Sequence, residues 1–60
     1  MIRLYIANGD KDLFNEINNA LDNSFLEYDI DDGNRYLVDE NDADKIINIM
    51  ESLKADVEII

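Results

Sequence analysis

Hydrophobic residues in this chain switch period along its length, from two to 3.6 and back, and that switching predicts an α+β domain of two layers. Three observations carry the prediction. Four short stretches alternate apolar with polar residues, two longer ones repeat apolar residues at helical spacing, and Gly, Asn and Asp fall between them. The expected architecture is a four-stranded antiparallel sheet with two helices on one face, built as a single domain over residues 1–60.

Ile2, Leu4 and Ile6 alternate with Arg3 and Tyr5, the pattern of a half-buried strand. Asn8-Gly9-Asp10 ends it and supplies Asp10 as a helix N-cap. Leu13, Phe14, Ile17, Ala20 and Leu21 then make the apolar stripe of a first helix, which Asn23 and Ser24 stop. Residues 25–30 alternate again, with Leu26, Tyr28 and Ile30 inward and Phe25, Glu27 and Asp29 outward. Asp32-Gly33 predicts a tight hairpin of the primed type. Beyond it Tyr36 and Val38 face one way, Arg35 and Leu37 the other. Asn41 or Asp42 caps a second helix with Ala43, Ile46, Ile47, Met50 and Leu53 on one face, and Lys54 complements its C-terminal dipole. Val57 and Ile59 close the chain as a last strand.

The order β-α-β-β-α-β is the split βαβ, or ferredoxin-like, arrangement. Right-handed crossovers put both helices on one face of the sheet. The expected core is Ile2, Leu4, Ile6, Tyr36, Val38, Val57 and Ile59 under the two helical stripes, with Ile17 and Ile47 as central anchors.

A domain of 60 residues buries only about 60% of the surface its unfolded chain exposes. Without disulfides its stability is expected at about 3–5 kcal/mol. Its charge is the other dominant property: 15 Asp and Glu against 5 Lys and Arg, a formal net charge of −10. Such a surface repels nucleic acid and anionic membranes and favours basic partners. Disorder is the usual reading of so acidic a chain, but 47% of the residues are hydrophobic and regularly spaced, which argues for a folded domain. No apolar run approaches the roughly 18 residues of a membrane span. Met1–Ala7 is too short for a signal peptide, so the cytoplasm is the expected compartment.

The chain has no His and no Cys, which removes most catalytic and metal-binding constellations. Ser24 and Ser52 lack a histidine to activate them, Gly9 and Gly33 make no phosphate loop, and paired carboxylates would need a cleft this small fold has little room for. No enzyme activity and no cofactor are expected. A calcium loop starting at Asp29 fails in register, since Gly33 falls at position five, not six, and the flanks read as strands; weak divalent-cation binding at the hairpin end stays open.

The topology sorts the acidic residues toward the two ends of the sheet. The first β–α loop, the hairpin and the last α–β loop bring together Asp10, Asp12, Asp29, Asp31, Asp32 and Asp56. The opposite end carries Asp22, Asp39, Glu40, Asp42 and Asp44. Local turn and cap bonding accounts for Asp10, Asp32 and Asp42. Mimicry of a phosphate backbone accounts for the excess, and the partner-binding pole is expected at the first of these ends, on Asp10, Asp12, Asp29, Asp31, Asp32, Gly33, Asn34 and Asp56. Two residues along a strand advance about 6.7 Å, close to two nucleotide rises of about 3.4 Å, and Asp29 and Asp31 have that separation. The outward sheet face should carry Arg3, Tyr5, Phe25, Glu27, Arg35, Leu37, Glu58 and Ile60. Tyr5, Phe25, Leu37 and Ile60 form an apolar patch there, a candidate for partner contact or for a homodimer, the commonest oligomer.

Asp32-Gly33-Asn34-Arg35-Tyr36-Leu37-Val38, followed by an acidic stretch and an amphipathic helix, resembles the hairpin–strand–helix segment of small acidic phage anti-CRISPR proteins that inhibit Cas9. The resemblance covers about a third of the chain. The chain departs from those proteins in its leading strand and in lacking a long acidic tail. The resemblance implies that Asp32, Gly33 and Asn34 contact a basic nucleic-acid-binding groove of a CRISPR effector in the host cytoplasm. The alternative expectation is an oligomerisation or regulatory module assembling through its outward sheet face. Salt separates the two, since mimicry weakens steeply with ionic strength and an apolar contact does not.

Overall fold

A computed structural model describes residues 1–31 and 33–60. Its elements are β1 (Ile2–Ile6), α1 (Lys11–Asn23), β2 (Tyr28–Asp31), β3 (Arg35–Val38), α2 (Ala43–Ser52) and β4 (Val57–Ile59). The sheet order is β2-β3-β1-β4, every neighbour antiparallel, as the ferredoxin-like arrangement requires. Leu4 pairs with both Tyr36 and Ile59, and Ile6 pairs with Val57, so these side chains share the inward face. Arg3, Tyr5, Arg35, Leu37, Asp29, Asp31 and Glu58 occupy the outward one.

The core consists of Leu4, Ile6, Tyr36 and Val38 from the sheet, Ile17 and Leu21 from α1, and Ala43, Ile46 and Met50 from α2, closed by Ala55. Tyr36 is the largest of them. Its ring lies between Phe14 and Tyr28, at centroid distances of 6.2 and 5.7 Å, and its hydroxyl donates to Asn18 Oδ1 at 2.7 Å. That bond removes the penalty of burying a phenol.

The expected core needs adjustment at the sheet edges. Ile59 is 65% exposed although it faces inward, and Ile2, Val57 and Ile47 are only half-buried. Ile30, inward-facing on the opposite edge, is 53% exposed. Two helices suffice to cover the central strands β3 and β1, and the edges project beyond them.

The start of β2 also differs. The strand begins at Tyr28, not Phe25, because α1 ends in a Schellman motif that occupies the intervening residues. Leu26 N–H donates to Leu21 C=O and Phe25 N–H to Asp22 C=O, at 3.1 and 3.2 Å. Phe25 takes φ +57 to close that motif. It therefore leaves the sheet face, and Glu27 precedes the strand. The hairpin is wider than expected as well. Asp31 pairs with Arg35, so three positions lie between the strands, with Gly33 at φ +75. Asp32 lies outside the described residues.

Asp10 caps α1 as expected, accepting from Leu13 N–H at 2.8 Å. Asp42 is the N-cap of α2 but makes no side-chain bond to the helix. Asp39 organises that entry instead, its carboxylate accepting from Asn41 N–H at 2.8 Å and its carbonyl from Asp42 N–H at 3.0 Å. Among the described residues no helix is long and apolar enough to cross a membrane.

Candidate functional site

Strand direction decides which carboxylates meet. Three loops converge at one end of the sheet, tied by Ile6 N–H to Asn34 C=O at 3.0 Å and Ala7 N–H to Asp56 C=O at 2.9 Å. The Asn8 side chain completes the tie: its Nδ2 donates to Lys54 C=O at 2.9 Å, and its Oδ1 accepts from Asp56 N–H at 2.7 Å. Asp10, Asp12, Asp31 and Asp56 belong to this end, as the topology requires. Their carboxylates differ in what surrounds them. Asp10 caps α1, and Asp31 forms an ion pair with Arg3 at 3.2 Å across the outward face. Lys11 and Lys54 stand on the neighbouring loops and helix ends. Gly33 and Asn34 lie at the same end, where the Asn34 backbone carbonyl is engaged with β1.

Asp29 is placed differently from the expectation. It pairs with Leu37, two residues from the hairpin, and lines a groove at the opposite end of the sheet. The register explains the groove. Tyr28 pairs with Val38 and Val38 with Ile2, so the next residues outward, Glu27, Asp39 and Met1, end three adjacent chain segments side by side. The C-terminal turn of α1 closes the groove with Asp22 and Leu26. Its volume is about 510 Å³, within the roughly 300–1,000 Å³ typical of ligand clefts. Met1, Leu26 and Tyr28 supply its apolar lining, and Asp22, Glu27, Asp29 and Asp39 its charge.

Asp22 accepts a hydrogen bond from the Tyr28 hydroxyl at 3.2 Å. Burial, that bond and the nearby carboxylate charge all raise the Tyr28 pKa from 10.0, so Tyr28 stays a neutral donor at physiological pH. Glu40, Asp42 and Asp44 continue the acidic surface along the turn into α2 and its first turn. Among side chains, Lys45 is the cation placed at this end, because Arg3 and Arg35 both stand on the sheet face. The carboxylates are spread around the groove rather than converging. Among the described residues no three His, Cys, Asp or Glu side chains gather closely enough to hold a metal ion. Such spacing suits an extended cationic ligand.

The outward sheet face is less apolar than the sequence implied. The Arg35 guanidinium stands 5.9 Å from the centroid of the Tyr5 ring, Arg3 reaches across to Asp31, and Leu37 is half-buried between Arg3 and Asp29. Ile60 donates its N–H to Arg3 C=O and is 57% exposed. Phe25 is 94% exposed on the turn between Asp22 and Leu26, beside the groove and apart from the other three. The groove itself was not legible from spacing, because it depends on register between three segments. The signal available was the excess of acidic residues in 22–29 and 39–44 with a single lysine beside them to offset it. No protein-family model, curated protein or solved structure matches this chain.

Proposed function

We propose that this protein is a non-catalytic binding module whose acidic end occupies a basic, nucleic-acid-binding surface of a partner protein, excluding the nucleic acid. The observation that carries the reading is the gathering of Asp22, Glu27, Asp29 and Asp39 around one groove, with Glu40, Asp42 and Asp44 continuing the same surface. A predominantly negative field steers a basic partner toward that end and raises the association rate. The resemblance of residues 32–38 to anti-CRISPR inhibitors makes an RNA-guided nuclease of a host defence system the first target class to assay. It implies a contact at the hairpin end, however, and does not itself support the groove, which lies at the opposite end of the sheet.

The test is competition. Wild-type protein should displace labelled DNA from a CRISPR effector nuclease loaded with guide RNA, and displacement should weaken steeply as salt rises. A variant carrying Asp22→Asn, Glu27→Gln, Asp29→Asn and Asp39→Asn should lose at least tenfold in potency. Equal potency of that variant, together with loss on Leu37→Asp, would move the contact to the sheet face and support the oligomerisation or regulatory reading instead.

A further inference from the structure

The apolar half of the groove restricts what can fill it. A bare polycation would be served by carboxylates alone, on any convex part of the surface. Here Met1, 77% exposed, joins Leu26 and the Tyr28 ring in one concavity that the carboxylates surround. Apolar surface left open in a cleft gains most when an apolar side chain covers it. Cationic groups flanking that side chain would then meet acidic partners on either side. A second copy of this chain is a poor occupant, since it brings a further formal charge of −10 to the same place.

We infer that the groove between the C-terminal turn of α1 and the outer ends of β1, β2 and β3 binds a basic amphipathic segment of a partner protein, one apolar side chain against Met1, Leu26 and Tyr28 and flanking Lys or Arg against the surrounding carboxylates. This rests on the binding reading above and specifies its ligand. A nucleic-acid-binding surface whose loop or helix carries an aliphatic residue between its cations would fit it better than one that offers cations alone. Specificity then comes from the apolar contact, and the charge supplies mainly steering.

Two fluorescein-labelled peptides of equal length and charge test this, one alternating Lys with Leu and the other Lys with Ser. Fluorescence anisotropy at moderate salt should show the Leu peptide binding at least tenfold more tightly. Glu27→Lys with Asp29→Lys should abolish that binding while leaving the thermal melt cooperative, because neither side chain takes part in a hydrogen bond or ion pair among the described residues. Chemical-shift changes on adding the Leu peptide should centre on Met1, Leu26 and Tyr28. Equal affinity for the two peptides, undiminished binding by the reversed-charge variant, or shifts centred on the outward sheet face would each overturn the inference. If the Leu peptide fails to bind while the protein still displaces DNA from its target, the groove assignment falls and the acidic-end reading stands. Peptide binding without DNA displacement gives the reverse.

Discussion

Phe25 and Lys54 hold the same position in two copies of one helix stop. Lys54 N–H donates to Glu51 C=O at 2.9 Å and Ala55 N–H to Met50 C=O at 3.0 Å, repeating the pattern at the end of α1. Both residues take positive φ, +57 and +68, where glycine is the favoured occupant. Phe25→Gly and Lys54→Gly are each expected to stabilise the protein by about 0.5–1 kcal/mol, since relief of left-handed strain exceeds the added chain entropy; urea denaturation midpoints check this. Gly9 serves a different purpose. A Cβ there would run into the Phe14 ring, so Gly9→Ala should destabilise by displacing that ring from its place beside Tyr36. Tyr36 carries a pH dependence. Burial, with a smaller electrostatic contribution from Tyr28, pushes its pKa from 10.0 up to about 12. Below pH 10 the phenol is neutral folded and unfolded, and its contribution is fully present. Between pH 10 and about 12 the unfolded chain gives up the proton first, and stability falls across that window. Circular dichroism across that range should show alkaline unfolding, and Tyr36→Phe should reduce the pH dependence, leaving the share that Tyr28, whose pKa is also raised, contributes.

At the scale of elements, α2 buries Ala43, Ile46 and Met50 and leaves Ile47 and Leu53 at the boundary. The amphipathic pattern locates the stripe but not its centre, which depends on how the helix rolls against the sheet. Ile46→Ala is therefore expected to cost about 2–5 kcal/mol, comparable to the whole stability of so small a domain. Ile47→Ala should leave a cooperative fold with a lower midpoint. The same measurement on Ile17→Ala, fully buried in α1, should resemble Ile46→Ala. Edge strands behave differently. Ile59, 65% exposed on β4, should accept Thr with a change within about 0.5 kcal/mol.

The whole molecule carries a formal charge of −10 with its arginines confined to the sheet face, so the helices and loops repel one another. Added sodium chloride screens that repulsion. Melting temperature should rise between low and moderate salt, as differential scanning calorimetry would record. The Arg3–Asp31 pair, with both side chains partly exposed, contributes little by comparison. Neutralising Asp22, Glu27, Asp29 and Asp39 together should raise the melting temperature at low salt and shrink its salt dependence. Such a gain in stability with a loss of binding is the mark of charge retained for function.

The sequence by itself determined the element order, the two-layer class, the inward faces of β1 and β3 and the stripes of both helices. Each of these follows from a local period, two for a strand and 3.6 for a helix, and no distant contact is needed to see it. Asp10 as a cap and Gly33 in the hairpin were legible for the same reason. Only the tertiary structure decided where β2 begins, because the Schellman stop after α1 competes with an alternating pattern that extends back to Phe25. It also decided that Asp29 belongs with Asp22 and Asp39, that Arg3 is drawn to Asp31, and that Asn8 ties two loops together. Those relations join residues far apart in the chain, and they are fixed by strand register and side-chain reach.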